Sequence, residues 1–445
     1  MNRKKIGIIG IIIVVVLIVI TIYFCKDSQD SVFTTYYEGG KYNIEKKVNT
    51  PKLASGMKAV KWINEEIISI ENPKEDSTWY DYENKQWANA MTEDGSLWIW
   101  IPRYAYQIEN GYHTKDAGKI NVKFLISTTN EAEDITPDYS NISGNEKWII
   151  HPAFSNTKSS LGIGCDMEIE GFWVAKFEAA QGDVQSNIKY GTNGTKTNLK
   201  VNTMGTKMNY PIFKAGMPSV NYTNSNDMYV MSRSLTVEGN PYGFNSEEID
   251  SMQITNTQWG AIAYLTQSKY GTNGEELEVN EYSLEGITKN ATAQTGGENY
   301  IKNVKQSSTF NVYGIYDLSG GAWERVSAIL DNNHKYLQIY DYRLVKNKDT
   351  RYVDKYTVAE EDTAEKNYQV NSNKYGDAMW EVSNSSEGNN AWNNDCSIYP
   401  TQGTCIIRRG GNYLDGEKAG IFATYISAGC ETNANSSYRV TLINN

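Results

Sequence analysis

Three segments set the expected fold: Asn-Val-Tyr-Gly-Ile-Tyr-Asp-Leu-Ser-Gly-Gly-Ala-Trp-Glu at residues 311–324, Arg-Gly-Gly-Asn-Tyr-Leu at 409–414, and Tyr-Arg-Val at 438–440. In the first segment, Gly320 and Gly321 allow a tight turn that places the carboxylates of Asp317 and Glu324 near inward-pointing backbone carbonyls. Oxygen ligands in such an arrangement suit a hard cation. The alternative is a plain turn with a buried Trp323 and with Glu324 as a capping residue.

The composition is that of a globular protein. The chain has 445 residues, of which 40% are hydrophobic and 21% are charged. It carries 42 basic and 53 acidic residues, for a formal net charge of -11. Because no basic surplus exists to neutralise a phosphate backbone, we expect no nucleic-acid partner. The 32 tyrosines and 11 tryptophans suit recognition surfaces as well as cores.

An uncharged apolar run of 19 residues spans Ile6–Phe24. As a helix it would measure roughly 28 Å, which is enough to cross a bilayer. Arg3, Lys4 and Lys5 precede it, so the positive-inside tendency predicts a cytoplasmic N-terminus and an extracellular main domain. A cleaved signal peptide is the alternative, but the run is longer than an h-region and no small-residue cleavage site follows. We therefore expect residues 1–26 to anchor a single-pass protein in the cell membrane.

The part beyond residue 26 is acidic, with 38 basic residues against 53 acids, and it contains four cysteines. Disulfides persist outside the cell, and four cysteines allow three pairings. Cys396 and Cys405 are nearest in sequence, and Pro400 and Gly403 between them favour a turn, so they are candidates for a local bridge. No C-x-x-C pair is present, which disfavours a structural zinc site.

Local patterns predict two buried strands and one helix. Residues 96–101 and 172–177 are short runs rich in aromatic and β-branched side chains, which is typical of buried strands. Residues 256–268 carry apolar side chains at helical spacing, and Thr255 precedes them as an N-cap. Asn, Ser, Thr and Gly are dense elsewhere, so the expected fold class is α+β, irregular and with long loops.

The sequence lacks the common catalytic motifs. No nucleotide-binding, zinc-protease or serine-hydrolase signature is present. The histidines, His113, His151 and His334, are far apart in sequence, which disfavours a histidine metal centre or a Ser-His-Asp triad. Phosphate transfer, dinucleotide chemistry and metalloprotease activity therefore lose support.

The three segments together resemble the formylglycine-generating enzyme family, also called sulfatase-modifying factors. The signature of that family reads like G-L-Y-D-M-x-G-N-V-W-E-W, followed by R-G-G-S-Y/W. Weaker similarities occur upstream in the same order, at residues 98–102, 171–178 and 254–259. The resemblance spans roughly 95–445, and it implies a C-type-lectin-related scaffold.

The resemblance implies a structural calcium site. In this family the ion is bound by a side-chain oxygen, two backbone carbonyls and a Glu. Carried over residue by residue, the ligands are Asp317, Gly320, Ala322 and Glu324. This sequence departs from the family at Gly321, where Asn is usual.

The resemblance also shows where catalytic cysteines would stand. Members that make formylglycine have one cysteine directly after R-G-G-S-Y-L and another five residues later. Those positions hold Asp415 and Gly420 here. Neither residue can bind copper through sulfur or form a mixed disulfide. The iron-dependent branch of the family needs clustered histidines, so we expect a non-catalytic member.

The same scaffold is used for non-catalytic display, including variable receptor-binding proteins. Their varied residues lie between the R-G-G-x and x-F/Y-R-V segments, which corresponds here to residues 412–437. This stretch mixes rigid aromatic side chains with adaptable polar ones, as recognition surfaces do. The ligand-binding residues expected are Asn412, Tyr413, Asp415, Glu417, Lys418, Tyr425, Glu431, Thr432, Asn433 and Asn435. The alternative is an ordinary final hairpin whose aromatic residues, above all Phe422, belong to the core.

The sequence thus predicts an anchor at residues 1–26, a stalk with a small extended module at 27–94, and the main domain at 95–445. We expect a membrane-anchored extracellular protein that binds or displays a protein or glycan ligand and carries calcium. An enzyme that modifies an exported protein or small molecule, like the formylglycine-generating oxidases, is the first alternative. A self-associating surface appendage is the second.

Overall fold

The aromatic segment Leu97–Pro102 is the centre of the main sheet, because it is wholly buried and pairs with a neighbouring strand on each side. The computed structural model describes residues 41–132, 135, 147–186, 209–286, 289–340, 342–429 and 432–445. The expected anchor and residues 27–40 of the expected stalk lie outside these ranges. Within them, no helix is both long and apolar enough to span a membrane.

The strands of the described residues are short. In chain order they are β1 Tyr42–Asn43, β2 Val48–Asn49, β3 Met57–Ile63, β4 Glu66–Ser69, β5 Asn89–Thr92, β6 Leu97–Pro102, β7 Tyr104–Ile108, β8 Ile120–Phe124, β9 Ile149–Ile150, β10 Gly171–Ala175, β11 Ile249–Gln253, β12 Ser283–Glu285, β13 Ala291–Ala293, β14 Trp323–Leu330, β15 Asp354–Tyr356, β16 Ile406–Gly410, β17 Gly420–Ser427, β18 Ser436–Ser437 and β19 Val440–Asn444.

The helices are few. The α-helices described are α1 Ser225–Ser232, α2 Asn256–Gln267, α3 Lys335–Tyr340, α4 Tyr342–Lys346 and α5 Ala364–Val370. Single 3-10 turns connect other segments, at Pro152–Phe154, Asn156–Leu161, Val304–Gln306, Trp380–Val382, Trp392–Asn394 and Gly416–Lys418. The fold is therefore mixed, with mostly sheet and few helices, which agrees with the α+β class predicted from the sequence.

Seven strands form the main sheet in the order β11-β19-β10-β6-β5-β3-β4. The predicted strands at 96–101 and 172–177 are confirmed as β6 and β10, and they pair antiparallel with Trp173 opposite Trp100. β19, near the end of the chain, lies between β10 and β11. This sheet crosses the boundary expected between residues 94 and 95, because β3 and β5 pair with each other and β5 with β6. The described residues from 41 onward belong to one compact unit.

A second sheet brings the first and second sequence motifs together. Its order is β15-β14-β16-β17, and β18 also pairs with β14. β14 and β16 are antiparallel, with Glu324 opposite Arg409. The segments around 311–325 and 409–440 are thus adjacent in the fold.

Helix α2 confirms the predicted helix and its cap. The Thr255 side chain accepts from the Gln258 backbone N–H, and the Gln258 side chain accepts from the Thr255 N–H at 3.0 Å, which makes a capping box. All of its residues are buried, more than an amphipathic pattern predicts. Trp259 reaches from this helix to the second sheet, where its indole N–H donates to the Ile421 carbonyl at 2.8 Å.

Candidate functional site

The turn before β14 adopts the tight conformation that its glycines allow. Asp317, Gly320 and Gly321 have φ angles of 63°, 78° and 69°, which lie in the left-handed region. At Gly320 a Cβ atom would lie 2.5 Å from the Asn280 carbonyl oxygen, so only glycine fits. The turn therefore directs the Asp317 and Glu324 carboxylates into the interior, where both are buried.

Glu324 faces an arginine of the third sequence motif. Arg439 donates from Nε to Glu324 Oε1 at 3.1 Å and to Oε2 at 3.0 Å, and neither side chain is exposed. Arg439 also donates to the Ala175 and Tyr316 carbonyls. Burial raises the pKa of Glu324 to about 7, although the guanidinium opposes that shift.

Two further carboxylates lie beside this ion pair. Asp317 accepts from the Gly296 N–H at 2.8 Å and from the Asn280 side chain at 2.9 Å. Glu178 accepts from the Ser219 hydroxyl at 2.6 Å and from the Ala322 N–H at 3.3 Å. Burial raises the pKa of Asp317, and burial together with the Asp317 carboxylate raises the pKa of Glu178 well above its ordinary value.

These contacts bear on the calcium ion that the resemblance implies. Arg439 engages both oxygens of Glu324, and protein N–H groups engage both oxygens of Asp317. Among the described residues, no group of three or more His, Cys, Asp or Glu side chains is arranged to hold a metal ion. In this arrangement protein donors already occupy the carboxylate oxygens of Asp317 and Glu324, which disfavours direct binding of a calcium ion. The calcium ion expected at Asp317, Gly320, Ala322 and Glu324 stays an untested prediction.

The expected ligand-binding stretch starts in a tight turn after β16. Gly410 and Gly411 have φ angles of 89° and 80°, and the chain then enters the 3-10 turn at Gly416–Lys418. The Asn412 side chain is buried and donates to Asp415 Oδ2 at 2.5 Å. This contact fixes the start of the stretch, and the expected residues beyond it separate into two surfaces.

The first surface is a cleft of about 630 Å³, which we call the amide–acid cleft. Its lining residues are Asp415, Glu417 and Lys418, all expected from the sequence, together with Glu276, Asn389, Asn393 and Asn394. Apart from Asp415, none of these seven side chains hydrogen-bonds or ion-pairs with another residue that the structure describes. The cleft therefore presents carboxamide, carboxylate and ammonium groups that are available to a ligand.

Rigid contacts hold the walls of the amide–acid cleft. Trp392, in the loop that carries the three asparagines, is fully buried against Phe422, with ring centroids 5.2 Å apart. The same loop is hydrogen-bonded to the 3-10 turn at Gly416–Lys418, because the Cys396 N–H donates to the Lys418 carbonyl at 3.2 Å. Asn393 and Asn394 have φ angles of 63° and 62°, a conformation that asparagine tolerates better than most residues. The binding groups thus project from a fixed frame.

The electrostatics of the amide–acid cleft are negative. Three carboxylates and one ammonium line it, for a net charge of -2. Desolvation, and then the Glu417 carboxylate, raise the pKa of Glu276. Asp395, which follows the lining residue Asn394, is fully buried, and burial and then the Glu276 carboxylate raise its pKa well above its ordinary value.

The second surface lies around the hairpin β12–β13, and we call it the hairpin surface. The Tyr413 hydroxyl donates to the Ala291 carbonyl at 3.4 Å, and the Tyr222 N–H donates to the Asn433 carbonyl at 2.9 Å. Leu414 is 69% exposed beside Tyr413. Of the expected set, Tyr413 and Asn433 therefore lie on this surface instead of in the cleft.

The remaining expected residues have separate positions. Tyr425 is half-buried. Its ring lies 5.4 Å from the Trp323 ring, centroid to centroid, in a tilted arrangement, and the Arg408 guanidinium lies 5.0 Å from the Tyr425 ring centroid. Thr432 is exposed and Asn435 is half-buried. Glu431 lies outside the described residues. Phe422 is fully buried. It is a core residue, as in the alternative interpretation of this stretch as an ordinary final hairpin.

The structure explains the two positions where the family has catalytic cysteines. Asp415 lines the amide–acid cleft, and Gly420 is pressed against Asp395. A Cβ atom at Gly420 would lie 2.1 Å from Asp395 Oδ1, which is closer than real contacts allow. A cysteine at residue 420 would therefore displace a buried carboxylate that accepts from the Phe422 N–H at 2.9 Å.

The local disulfide expected between Cys396 and Cys405 is not formed. The Cys396 carbonyl accepts from Thr424 of β17, whereas the Cys405 carbonyl accepts from Leu330 of β14. Since β16 lies between β14 and β17, the two cysteines pair with strands on opposite sides of β16. The intervening turn was a correct signal, but the strand pairing separates the two sulfur atoms.

Sequence reasoning missed four lining residues of the amide–acid cleft and two members of the buried charge cluster. Glu276, Asn389, Asn393 and Asn394 lie in polar loops where no pattern distinguishes them from solvated residues. Arg439 and Glu178 were inside quoted motifs, but the contact between distant motifs was needed to assign them. Of the residues that line the amide–acid cleft, the sequence predicts only Asp415, Glu417 and Lys418.

Comparison with known proteins gives little further information. No family model and no curated protein matches the chain. Among solved structures, the chain is similar to the Major Tropism Determinant M1 variant, at 11% identity and a TM-score of 0.29, with 89% of this chain and 75% of that chain covered. The U1 variant gives 12% identity and a TM-score of 0.24 over the same shares. Such low TM-scores carry no argument, so the resemblance to the formylglycine-generating enzyme family rests on motifs alone.

Proposed function

We propose that this chain is a ligand-binding or display protein and that the amide–acid cleft is its binding site. One observation carries the proposal: six of the seven polar side chains around this cleft of about 630 Å³ have no hydrogen-bond or ion-pair partner among the described residues. Ligand sites in proteins have volumes of about 300–1,000 Å³ and place a few polar groups in fixed positions. A rigid frame with available donors and acceptors meets both conditions.

The proposed scaffold is non-catalytic and similar to formylglycine-generating enzymes, with a C-type-lectin-like architecture. Two features support it: the antiparallel pairing of the motif strands β14 and β16, and the ion pair between Glu324 and Arg439, which joins the first and third motifs. The proposal that the scaffold does not use cysteine catalysis is supported by Gly420, because no room remains for a side chain at this position beside Asp395.

The proposed location is the outer surface of a cell membrane. Its support is in the sequence, in the apolar run Ile6–Phe24 and the basic residues before it. A ligand-binding domain held at the surface by a single anchor would present the amide–acid cleft to molecules outside the cell.

An array of glycans and peptides, probed with the full chain, tests the proposed function. The test variant is the double substitution Glu276→Ala and Glu417→Ala, which removes two exposed cleft carboxylates. Its matched control is Glu65→Ala with Glu66→Ala, two exposed carboxylates at the turn between β3 and β4. We expect the array signals of the native chain to weaken strongly in the cleft variant and to persist at full strength in the control. Signals that both variants retain would contradict the proposal.

A further inference from the structure

The cleft carboxylates lack a cationic partner. Glu276 follows helix α2 and Glu417 lies in the 3-10 turn, so two segments distant in sequence bring their carboxylates to one cleft. Neither carboxylate forms an ion pair with a described residue, and Lys418 in the same cleft pairs with neither. Two neighbouring carboxylates without a counter-ion favour the approach of a cation.

A third carboxyl group, that of Asp395, lies next to the cleft in sequence. Asp395 is fully buried directly after the lining residue Asn394, and its Oδ1 atom has no hydrogen-bond partner among the described residues. Its other oxygen accepts from the Phe422 N–H at 2.9 Å. Few buried polar atoms in native proteins lack a partner, and each one needs an explanation such as a bound ligand or water. The unpaired oxygen lies on the loop that carries the cleft asparagines.

The rest of the lining distinguishes between kinds of cation. Asn389, Asn393 and Asn394 each offer two N–H donors and a carbonyl acceptor. Hydroxyl groups, which both donate and accept, match such carboxamides. A lysine side chain would present only its ammonium group to the carboxylates and would offer no hydroxyl group to these carboxamides. The cleft volume of about 630 Å³ also exceeds what one extended side chain fills.

We propose that the amide–acid cleft binds a saccharide that carries a free amine. The ammonium group lies between Glu276 and Glu417, and the asparagine carboxamides bond the neighbouring hydroxyl groups. This inference rests on the proposed function and adds the chemical class of the ligand. Lys418 opposes the same ammonium group and so limits the affinity.

Isothermal titration calorimetry on the full chain tests the inference with matched probes. A β-1,4-linked glucosamine dimer carries the amines, and the N-acetylglucosamine dimer is its neutral counterpart. Tri-lysine and its fully Nε-acetylated form make the same comparison for a peptide. We expect the glucosamine dimer to bind about tenfold more tightly than the acetylated dimer, with an affinity that falls as salt is added.

Charge variants test the site itself. Removing one exposed charge should change the affinity for the glucosamine dimer by about two- to fivefold. Glu276→Gln and Glu417→Gln should weaken binding, whereas Lys418→Met should strengthen it, a change that unfolding cannot mimic. Glu65→Gln, at the exposed turn between β3 and β4, is the matched control and should leave the affinity unchanged.

The contrary results separate the inference from the proposed function. Equal binding of the two sugar dimers, or no binding of the glucosamine dimer, overturns the amine requirement. If array signals still depend on Glu276 and Glu417 in that case, the proposed function stands. Tighter binding of tri-lysine than of the glucosamine dimer overturns the saccharide assignment in favour of a peptide. If array signals also persist in the cleft variant, both proposals fail.

Discussion

Arg439 and Glu324 form a fully buried ion pair in which the guanidinium Nε lies 3.0 Å from Oε2 and 3.1 Å from Oε1 of the carboxylate. Two more buried carboxyl groups, Asp317 and Glu178, lie beside it; burial raises the pKa of both, and the positive charge of Arg439 opposes that rise. Arg439 therefore pairs with one of three neighbouring acids at the point where the first and third sequence motifs meet.

Arg439→Met should strongly destabilise the protein. Breaking a buried ion pair by removing one partner leaves an uncompensated charge and costs about 3–5 kcal/mol. The free energy of unfolding, measured by urea denaturation, is the readout. Lys269→Met is the matched control, because its ion pair with Glu83 is exposed and should contribute at most about 1 kcal/mol. Similar losses in the two variants would contradict a central role for Arg439.

Calcium should not raise the melting temperature of the full chain. A ligand that binds only the native state raises the midpoint of unfolding, but protein donors already engage the carboxylates of Asp317 and Glu324. Thermal unfolding with added calcium and with a chelator makes the comparison. A rise with calcium that is lost in Glu324→Ala would instead establish the metal site that the motif resemblance implies.

The contribution of the buried Glu381 carboxyl group to stability should decrease as the pH rises from about 4.5 to about 7. Glu381 accepts from the Tyr106 and Tyr264 hydroxyls and the Gly376 N–H, and burial raises its pKa to about 7. Because the folded pKa lies above the unfolded value of about 4.3, the folded state holds the extra proton across this window. The resulting stability is fully present below the window and is lost above it.

Glu381→Gln isolates this contribution. The difference in the free energy of unfolding between the native chain and Glu381→Gln should change by on the order of 2 kcal/mol between pH 5 and pH 8, in favour of the variant at pH 8. His151 acts in the opposite direction, since burial lowers its pKa to about 3, but it is present in both proteins and cancels. A difference that is independent of pH would refute the assignment to Glu381.

Gly420→Ala should destabilise the protein by about 2–4 kcal/mol, because the new methyl group must displace the buried Asp395 carboxylate. Gly416→Ala is the control on the same segment. Its φ of 54° makes alanine strained, but nothing lies within 4 Å of the added atom, so the cost should be about 1 kcal/mol. Urea denaturation of the two variants gives the comparison, and equal costs would show that Asp395 moves freely.

Local signals predicted the parts of the fold that depend on neighbouring residues. The bounded aromatic runs predicted β6 and β10, and Thr255 predicted the start of α2. The sequence pattern does not predict that β3 pairs with β5 and β5 with β6, because this pairing depends on contacts between segments that lie apart in the chain.

The candidate site was predicted only in part for the same reason. The sequence predicts one continuous recognition stretch that includes Asp415, Glu417 and Lys418 together with Tyr413 and Asn433. The fold separates that stretch, placing the first three in the amide–acid cleft and the last two beside the hairpin β12–β13. The asparagines that complete the cleft come from a loop before β16, and their contribution follows from the packing of Trp392.

Hydrogen–deuterium exchange of the full chain, with and without a ligand found on the array, tests most directly whether the amide–acid cleft is the binding site. A ligand held in the cleft should slow exchange at residues 389–394 and 415–418, and should leave the hairpin at 283–293 unchanged. Slower exchange at 283–293 and 432–437, with none at 389–394, would contradict the account and assign binding to the hairpin surface.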